Sequence, residues 1–346
     1  MSTILALTHG RDDCADLVIN HLRKRGEDFV RFNTDEFQKS VKLTLTMEPN
    51  GSFGGKYHFP DRDLDFREIG VVWNRRVHEP ELGEDLQGEP EIKQWMIDES
   101  FWGMSISFTL IDAPVVNPWE INERLKFNKM LQMKRAAELG LEVPSTCITN
   151  NLDEIREFWK HVGGEMVFKK IRKGLFAMSD GRVLLVHTNQ IPKDSFNEQT
   201  IQRMRFCPMF LQRHIPKKFD VRSIVVNGKV FSVAIHSQSV AEGVTDYRKA
   251  AVLGKLDEMR HEIIDFGAET NQKLANYTRS FGLSFSAIDL IVTPDDRVIF
   301  LEDNPNGQWA WLEHKTGIPI SKAIAEYLIG LNSIKERDGR TENSGG

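Results

Sequence analysis

The stretch from Ser284 to Trp309, SFSAIDLIVTPDDRVIFLEDNPNGQW, constrains this chain more than any other. It reads as a hairpin. Phe285 to Val292 and Val298 to Leu301 are β-branched and aromatic runs, and Pro294-Asp295-Asp296 between them is turn chemistry. A turn centred on Asp295 and Asp296 pairs Val292 with Ile299, Ile291 with Phe300, and Asp289 with Glu302. Carboxylates directly opposed on an antiparallel pair have Cβ atoms roughly 5 Å apart, which is repulsive unless something neutralises them. Asn304 lies two residues past Glu302 and so points to the same face. Two carboxylates and an amide oxygen rising from apolar strands make a hard, all-oxygen site, suited to Mg²⁺ with a polyphosphate. The competing reading is an exposed sheet face with solvated acids.

The 346 residues suffice for two or three domains. A formal net charge of −5 shows no basic excess, which argues against nucleic acid as the main partner. No apolar run approaches the roughly 20 residues needed to cross a bilayer, and no charged-then-apolar leader opens the chain. Cys14, Cys147 and Cys207 are far apart and odd in number, so neither a disulfide framework nor a cysteine metal site is expected. A reducing cytoplasm fits best.

The chain begins with a strand at Ile4 to Leu7, a helix capped by Asp12 or Asp13 and ending near Gly26, and a strand at Phe29 to Phe32. This β-α-β start points to a parallel α/β unit. It has no glycine-rich phosphate fingerprint. Asn50-Gly51 joins two further strands, and the apolar strand Ile69 to Trp73 ends in Asn74-Arg75-Arg76, where tandem arginines suit carboxylate recognition or are plain surface charge. A helix from about Glu91 to Thr109 has wide apolar coverage, fitting a core or a subunit-contact helix. Pro114 to Pro118 closes the first domain. A helix is expected at 121–139, then an apolar strand ending in Lys169-Lys170, a loop from Arg172 to Gly181 and a strand Val183 to His187. Asp194 or Ser195 caps a helix to about Arg205. Lys217-Lys218-Phe219-Asp220-Val221-Arg222 opens a second hairpin around Asn227-Gly228, in which Asp220 could hold Arg222. A polar loop is expected at 237–253, a helix from about Asp257 to Phe281, and a final helix at Ile320 to Ile329 before a polar tail without core residues.

In this order, a lysine-ended strand, a hinge, an Asp-x-Arg hairpin and an Asp…Glu-x-Asn hairpin resemble the ATP-grasp superfamily. Trp73-Asn74-Arg75-Arg76, Val116-Asn117-Pro118, Gly140-Leu141-Glu142-Val143-Pro144, Ser237-Gln238 and Asp246-Tyr247-Arg248 resemble its peptide-maturing branch, the microviridin-type or graspetide synthetases. That branch is related to the ligase that modifies a ribosomal protein. The resemblance implies an α/β fold (α+β lobes). Its parts would be an N-terminal pre-ATP-grasp domain at 1–118, a small central lobe at 119–210, a C-terminal antiparallel-sheet lobe with the metal site at 211–331, and a disordered tail at 332–346.

It further implies an enzyme that binds ATP with one or two Mg²⁺ ions and phosphorylates Asp or Glu side chains of a ribosomal precursor peptide with a leader segment. A hydroxyl or amine of the same peptide then attacks, and the enzyme is a homodimer. By position, Asp289, Glu302 and Asn304 match the Mg²⁺ ligands, and Lys129 and Lys169 the phosphate-binding lysines, with Lys170 as the competitor of Lys169. Gln212, Arg213, His214 and Ile215 match the adenine hinge, Asp220 a position near the ribose, and Arg222 and Arg248 basic residues near the transferred phosphoryl group. Arg213-His214 departs from the family, which often has an acidic residue there. Asp194 and Glu198 are candidates for a basic leader residue, and Arg75 and Arg76 for the acidic acceptors. The alternatives are a ligase that adds a free amino acid to a carboxylate, a non-catalytic nucleotide-binding module, and a kinase that stops at phosphoryl transfer. No general base is evident.

Overall fold

The computed structural model describes residues 2–83, 88–172, 175–178, 180–185 and 188–342. Parts of the expected 172–181 loop, His187, and residues 343–346 of the expected tail lie outside these.

Strand Thr3–Thr8, helix Asp13–Arg25 and strand Phe29–Asn33 open the chain as expected. Asp12 caps the helix by accepting the Cys14 N–H at 3.2 Å. Both strands, with Ile69–Asn74 and Val115–Val116, form one parallel sheet. A three-stranded antiparallel sheet, Lys42–Met47, Phe53–His58 and Asp63–Asp65, stands beside it. The long helix Pro90–Thr109 has one buried and one exposed apolar face. Met104 and Phe108 are buried, while Ile92, Trp95, Trp102 and Ile106 form an exposed stripe at helical spacing.

The helix expected at 121–139 is in fact two, Trp119–Leu125 and Lys129–Glu138. Asn128 interrupts them and caps the second by accepting the Leu131 N–H at 3.1 Å, which puts Lys129 at the first residue of that helix. The central sheet is antiparallel, in the order Asn189–Gln190, Met166–Lys169, Met209–Arg213, Thr146–Thr149. The helix expected from Asp194 is shorter: Asn197 caps Glu198–Arg203.

The C-terminal sheet has five antiparallel strands, in the order His261–Ile264, Lys229–Ile235, Phe219–Val226, Phe285–Val292, Val298–Asn304. Asn227 and Gly228 both take positive φ, 45° and 83°, as a tight hairpin turn requires. The helix expected over 257–281 is replaced by a single turn, Lys255–Glu258, the edge strand His261–Ile264 and a shorter helix, Gly267–Ser280. The expected 237–253 loop contains helix Tyr247–Val252. The last helix, Ile320–Glu342, continues through 332–342, where disorder was expected.

One hydrophobic core unites the two ends of the chain. Ile4, Val71 and Trp73 of the parallel sheet pack with Ile320, Ile324 and Leu328 of the last helix and with Ile224, Phe285 and Trp309 of the C-terminal lobe. Each large apolar side chain buried this way contributes about 2 kcal/mol relative to exposure. Asn117 is the polar joint of the same interface. It sits at φ 59°, a conformation asparagine tolerates. Its Nδ2 donates to the carbonyls of Phe285 (2.8 Å) and Pro305 (2.7 Å), and its Oδ1 accepts the N–H groups of Ser284 (3.2 Å) and Phe285 (3.0 Å). Asn117→Ala strands buried backbone groups at both ends of the hairpin. We expect it to cost about 3 kcal/mol, read as a lowered urea-unfolding midpoint; an unchanged midpoint would mean that water replaces these bonds.

Candidate active site

The Asp289–Glu302 opposition forms, although by a different route from the one the sequence suggests. The outer pairs are Val292 with Val298, Ile291 with Ile299 and Leu290 with Phe300, each one residue off the expected register. The turn is tighter, closed by Asp296 N–H to the Thr293 carbonyl at 3.0 Å, with Asp296 at φ 63°. A bulge at Leu301 then absorbs one residue and restores Asp289 opposite Glu302, Ile288 opposite Asp303 and Ala287 opposite Asn304. Bulges re-aim side chains in this way.

Both carboxylates are buried, and cations from three other elements meet them. Lys129 Nζ lies 2.7 Å from Glu302 Oε2. Arg248, near the start of its short helix, bridges the pair, 2.9 Å from Glu302 Oε1 and 3.1 Å from Asp289 Oδ2. Arg222 Nη1 donates to Asp289 Oδ1 at 2.5 Å, because the two residues are register partners on neighbouring strands. The expected Asp220–Arg222 pair therefore does not form. Asp220 instead accepts from Lys217 Nζ at 2.7 Å and Ser237 Oγ at 2.5 Å. Burial opposes ionisation of Glu302, but Lys129, Arg248 and Lys169 outweigh it and hold the carboxyl well below its usual range. Asp289, Glu302 and Asp246 hold the half-exposed Arg248 guanidinium well above its usual range. Gly307 permits the approach of Arg222: a Cβ there would lie 2.6 Å from its Nη2 and 2.5 Å from Ala287 Cβ.

Two cavities lie beside these groups, one bordered by Lys169 and Asp220 and the other by Arg222 and Arg248. The smaller is lined by Lys169, Asp220, Leu301 and the segment from Gln212 to Ile215. Lys169, not Lys170, belongs to that wall. Burial and the neighbouring Lys129 bring its amine down from 10.5 to about 8, against the pull of Glu302. Gln212 is buried and donates to Thr146 Oγ1 at 2.9 Å; Arg213 is exposed; the His214 N–H donates to the Glu165 carbonyl at 2.8 Å. The larger cavity, about 630 Å³, is bordered by Arg76, His78, Trp119, Arg222, Arg248 and Asn304. Among the described residues no three His, Cys, Asp or Glu side chains gather as a metal site. The Asp289–Glu302–Asn304 set, two acids and an amide, fits Mg²⁺, an ion that keeps several positions for water and phosphate oxygens.

The four remaining candidates lie apart from this cluster or beside it. Arg75 is buried and committed: it pairs with Asp12 at 3.2 Å and donates to Gln308 Oε1 at 2.8 Å and to the Asn306 carbonyl at 2.9 Å. It props the loop after Asn304 and does not face the large cavity, which corrects the expectation that both arginines meet substrate. Arg76 does face it. Asp194 and Glu198 are exposed on the central lobe, and Glu198 already pairs with Arg156 at 2.7 Å. Sequence reasoning passed over His78, Trp119 and Gln308. For His78 a signal existed: it follows the carboxyl end of a parallel strand, where α/β sheets place their ligands.

Two family models match consecutive stretches, an MvdD pre-ATP grasp domain at residues 3–123 and a RimK-like ATP-grasp domain at 126–328. Among solved structures, a RiPP-associated ATP-grasp ligase of Chryseobacterium gregarium, in complex with ADP and a leader and core peptide, superposes with TM-score 0.86 at 28% identity, covering 95% of this chain and 97% of that one. Macrocyclase MdnC of Microcystis aeruginosa, bound with its precursor peptide MdnA, gives 0.81 at 28%, covering 95% and 99%. Macrocyclase MdnB of the same organism gives 0.73 at 30%, also covering 95% and 99%. The chain belongs to the RimK-like ATP-grasp family, behind a pre-ATP-grasp domain, and is an ATP-grasp ligase.

Proposed function

We propose that this chain uses Mg-ATP to convert Asp or Glu side chains of a ribosomal precursor peptide into acyl phosphates. A hydroxyl or amine of the same peptide then closes an ester or amide ring, and ADP and phosphate leave. The observation that carries this reading is the convergence of Lys129, Lys169, Arg222 and Arg248 on the buried Asp289–Glu302 pair, with Lys169 on the wall of the smaller cavity and Arg222 and Arg248 on that of the larger. Phosphoryl transfer to a carboxylate brings like charges together, so positioning and neutralisation supply most of its catalysis. The likeness to peptide macrocyclases over 95% of the chain supports a peptide as substrate.

In this reading Asp289, Glu302 and Asn304 would hold one or two Mg²⁺ ions, whose chemistry there is to neutralise phosphate oxygens. Lys129 and Lys169 meet the nucleotide phosphates, and Arg222 and Arg248 the transferred phosphoryl group. Gln212, Arg213, His214 and Ile215 border the adenine, and Asp220, with its Lys217 partner, the ribose. Among the described residues the Ile215 N–H donates to no backbone carbonyl, so it is the hinge donor open to a base. Arg76 orients the acceptor carboxylate in the larger cavity. Asp194 is the freer of the two acids offered to a leader peptide. The exposed stripe of Trp95 and Trp102 supports a homodimer, since a patch of this kind favours a cover. A cytoplasmic setting, where ATP and ribosomal peptides meet, belongs to the same reading; among the described residues no helix is long and apolar enough to cross a membrane.

Mass spectrometry of the enzyme with Mg-ATP and the acidic peptide encoded beside its gene is expected to show stepwise loss of water coupled to ADP formation. Glu302→Gln should abolish both. ATP consumption only when a free amine is added would replace this reading with an intermolecular ligase. Amine-reactive labelling should modify Lys169 with a midpoint near pH 8, because the neutral amine gains on the ammonium through its lowered pKa of about 8. ATP should protect it, and labelling only near pH 10.5 would show that Lys169 is not held in this field. Sedimentation should give a dimer that Trp95→Glu with Trp102→Glu converts to monomer; a parent monomer would remove that part of the proposal.

A further inference from the structure

Ring closure needs a proton acceptor. When a peptide hydroxyl attacks the acyl phosphate, a C–O bond to the carbonyl carbon forms and the bond to the phosphate oxygen breaks. Phosphate leaves with the bonding pair, and a side chain that takes the hydroxyl proton as the C–O bond forms makes the attacking oxygen the better nucleophile. The titratable groups on the wall of the larger cavity can be taken in turn. Arg76, Arg222 and Arg248 remain protonated at any working pH. Lys126 and Glu123 pair with each other at 3.1 Å. Burial raises the Tyr247 phenol further above its ordinary range, so it stays protonated. His78 is left.

We propose that His78 accepts the proton of the ring-closing hydroxyl, with His9 positioning its imidazole. This rests on the ligase reading given above and deepens it. The two rings stack, with centroids 4.2 Å apart and planes at 18°. The His78 backbone is fixed by its N–H donating to Thr34 Oγ1 at 2.8 Å. His9 Nδ1 accepts the Arg11 N–H at 3.2 Å, which puts the hydrogen of a neutral His9 on Nε2 and orients the lower ring of the stack. Among the described residues neither ring nitrogen of His78 has a hydrogen-bond partner, and the ring borders the cavity that Arg222 and Arg248 also border. The charged and titratable groups around it are His9, Arg76, Asp35 and Asp12, with Arg222 and Arg248 on the cavity side. Burial, His9 and Arg76 together outweigh the two acids, so the imidazole titrates below 6.5 and is neutral at pH 7, with a lone pair to offer. Asp303, a further buried carboxyl, accepts from Ser286 Oγ and the Ala287 backbone and is not part of this wall.

The test separates activation from attack. Parent enzyme and His78→Gln are each given Mg-ATP and a precursor peptide with a hydroxyl nucleophile, with and without hydroxylamine. Hydroxylamine needs no base to capture an acyl phosphate and leaves a peptide hydroxamate. For His78→Gln we expect ring closure to fall about 100-fold while hydroxamate still forms, which also shows that the variant is folded and able to phosphorylate. In the parent, ring closure should decline as pH drops through the lowered imidazole pKa, below 6.5, and that acid limb should vanish in the variant. Added imidazole should partly restore His78→Ala. Ring closure at parental rate in His78→Gln would overturn the proposal. Equal loss of ring and hydroxamate would overturn it too, by placing His78 in activation. If the parent itself forms neither product, the ligase reading falls and this proposal with it.

Discussion

The structure depends on accommodating two buried carboxylates side by side. Asp289 lies within the otherwise apolar run from Ala287 to Val292, with Glu302 as its cross-strand neighbour. Removing an unpaired carboxylate from water costs several kcal/mol, and two of them repel. The fold meets that cost with cations drawn from separate elements: a helix N-terminus for Lys129, the adjoining strand for Arg222 and a short helix after a loop for Arg248. No one of these elements would hold its cation there without the others. The ion pairs of the candidate site thus also tie these elements together.

The N-terminal domain forms part of that arrangement rather than an appendage to it. Its sheet shares one hydrophobic core with the last helix and the C-terminal lobe, and Asn117 and Arg75 fasten both ends of the carboxylate hairpin to it. Cys14, at the start of the first helix, accepts the N–H groups of Trp309 and Ala310 at 3.4 and 3.3 Å. The loop carrying Asn304 to Trp309 is therefore braced from below by the pre-ATP-grasp domain, while the same domain supplies Arg76 and His78 to the larger cavity. Fold stability and the shape of the larger cavity are coupled through these residues.

Misread elements have a common physical origin. The strand His261–Ile264 falls inside a stretch the sequence predicts as helix, because four residues, His-Glu-Ile-Ile, carry no decisive period and only pairing with Ser232–Ile235 makes them extended. The helix break before Lys129 was hidden in a sequence of good helix formers; Asn128 caps where a continuous helix was equally allowed by pattern. The outer hairpin register slipped by one because a tighter turn and a bulge cancel, and neither leaves a mark in composition.

The sequence alone determined the parallel β-α-β start, the Asn227-Gly228 hairpin, and the facing of Asp289, Glu302 and Asn304. Local rules suffice for these: strand periodicity, turn residues that accept positive φ, and the rarity of acids in apolar runs. Tertiary structure decided who neutralises whom. Arg222 was free to pair with Asp220 two residues away, and sheet order gave it Asp289 instead. Arg75 and Arg76 were equivalent as letters. Neighbouring residues on a strand end point to opposite sides, so one is locked under a loop and the other opens on the cavity. The stack of His9 on His78 joins residues from the loops that follow two strands, and no linear pattern encodes that distance.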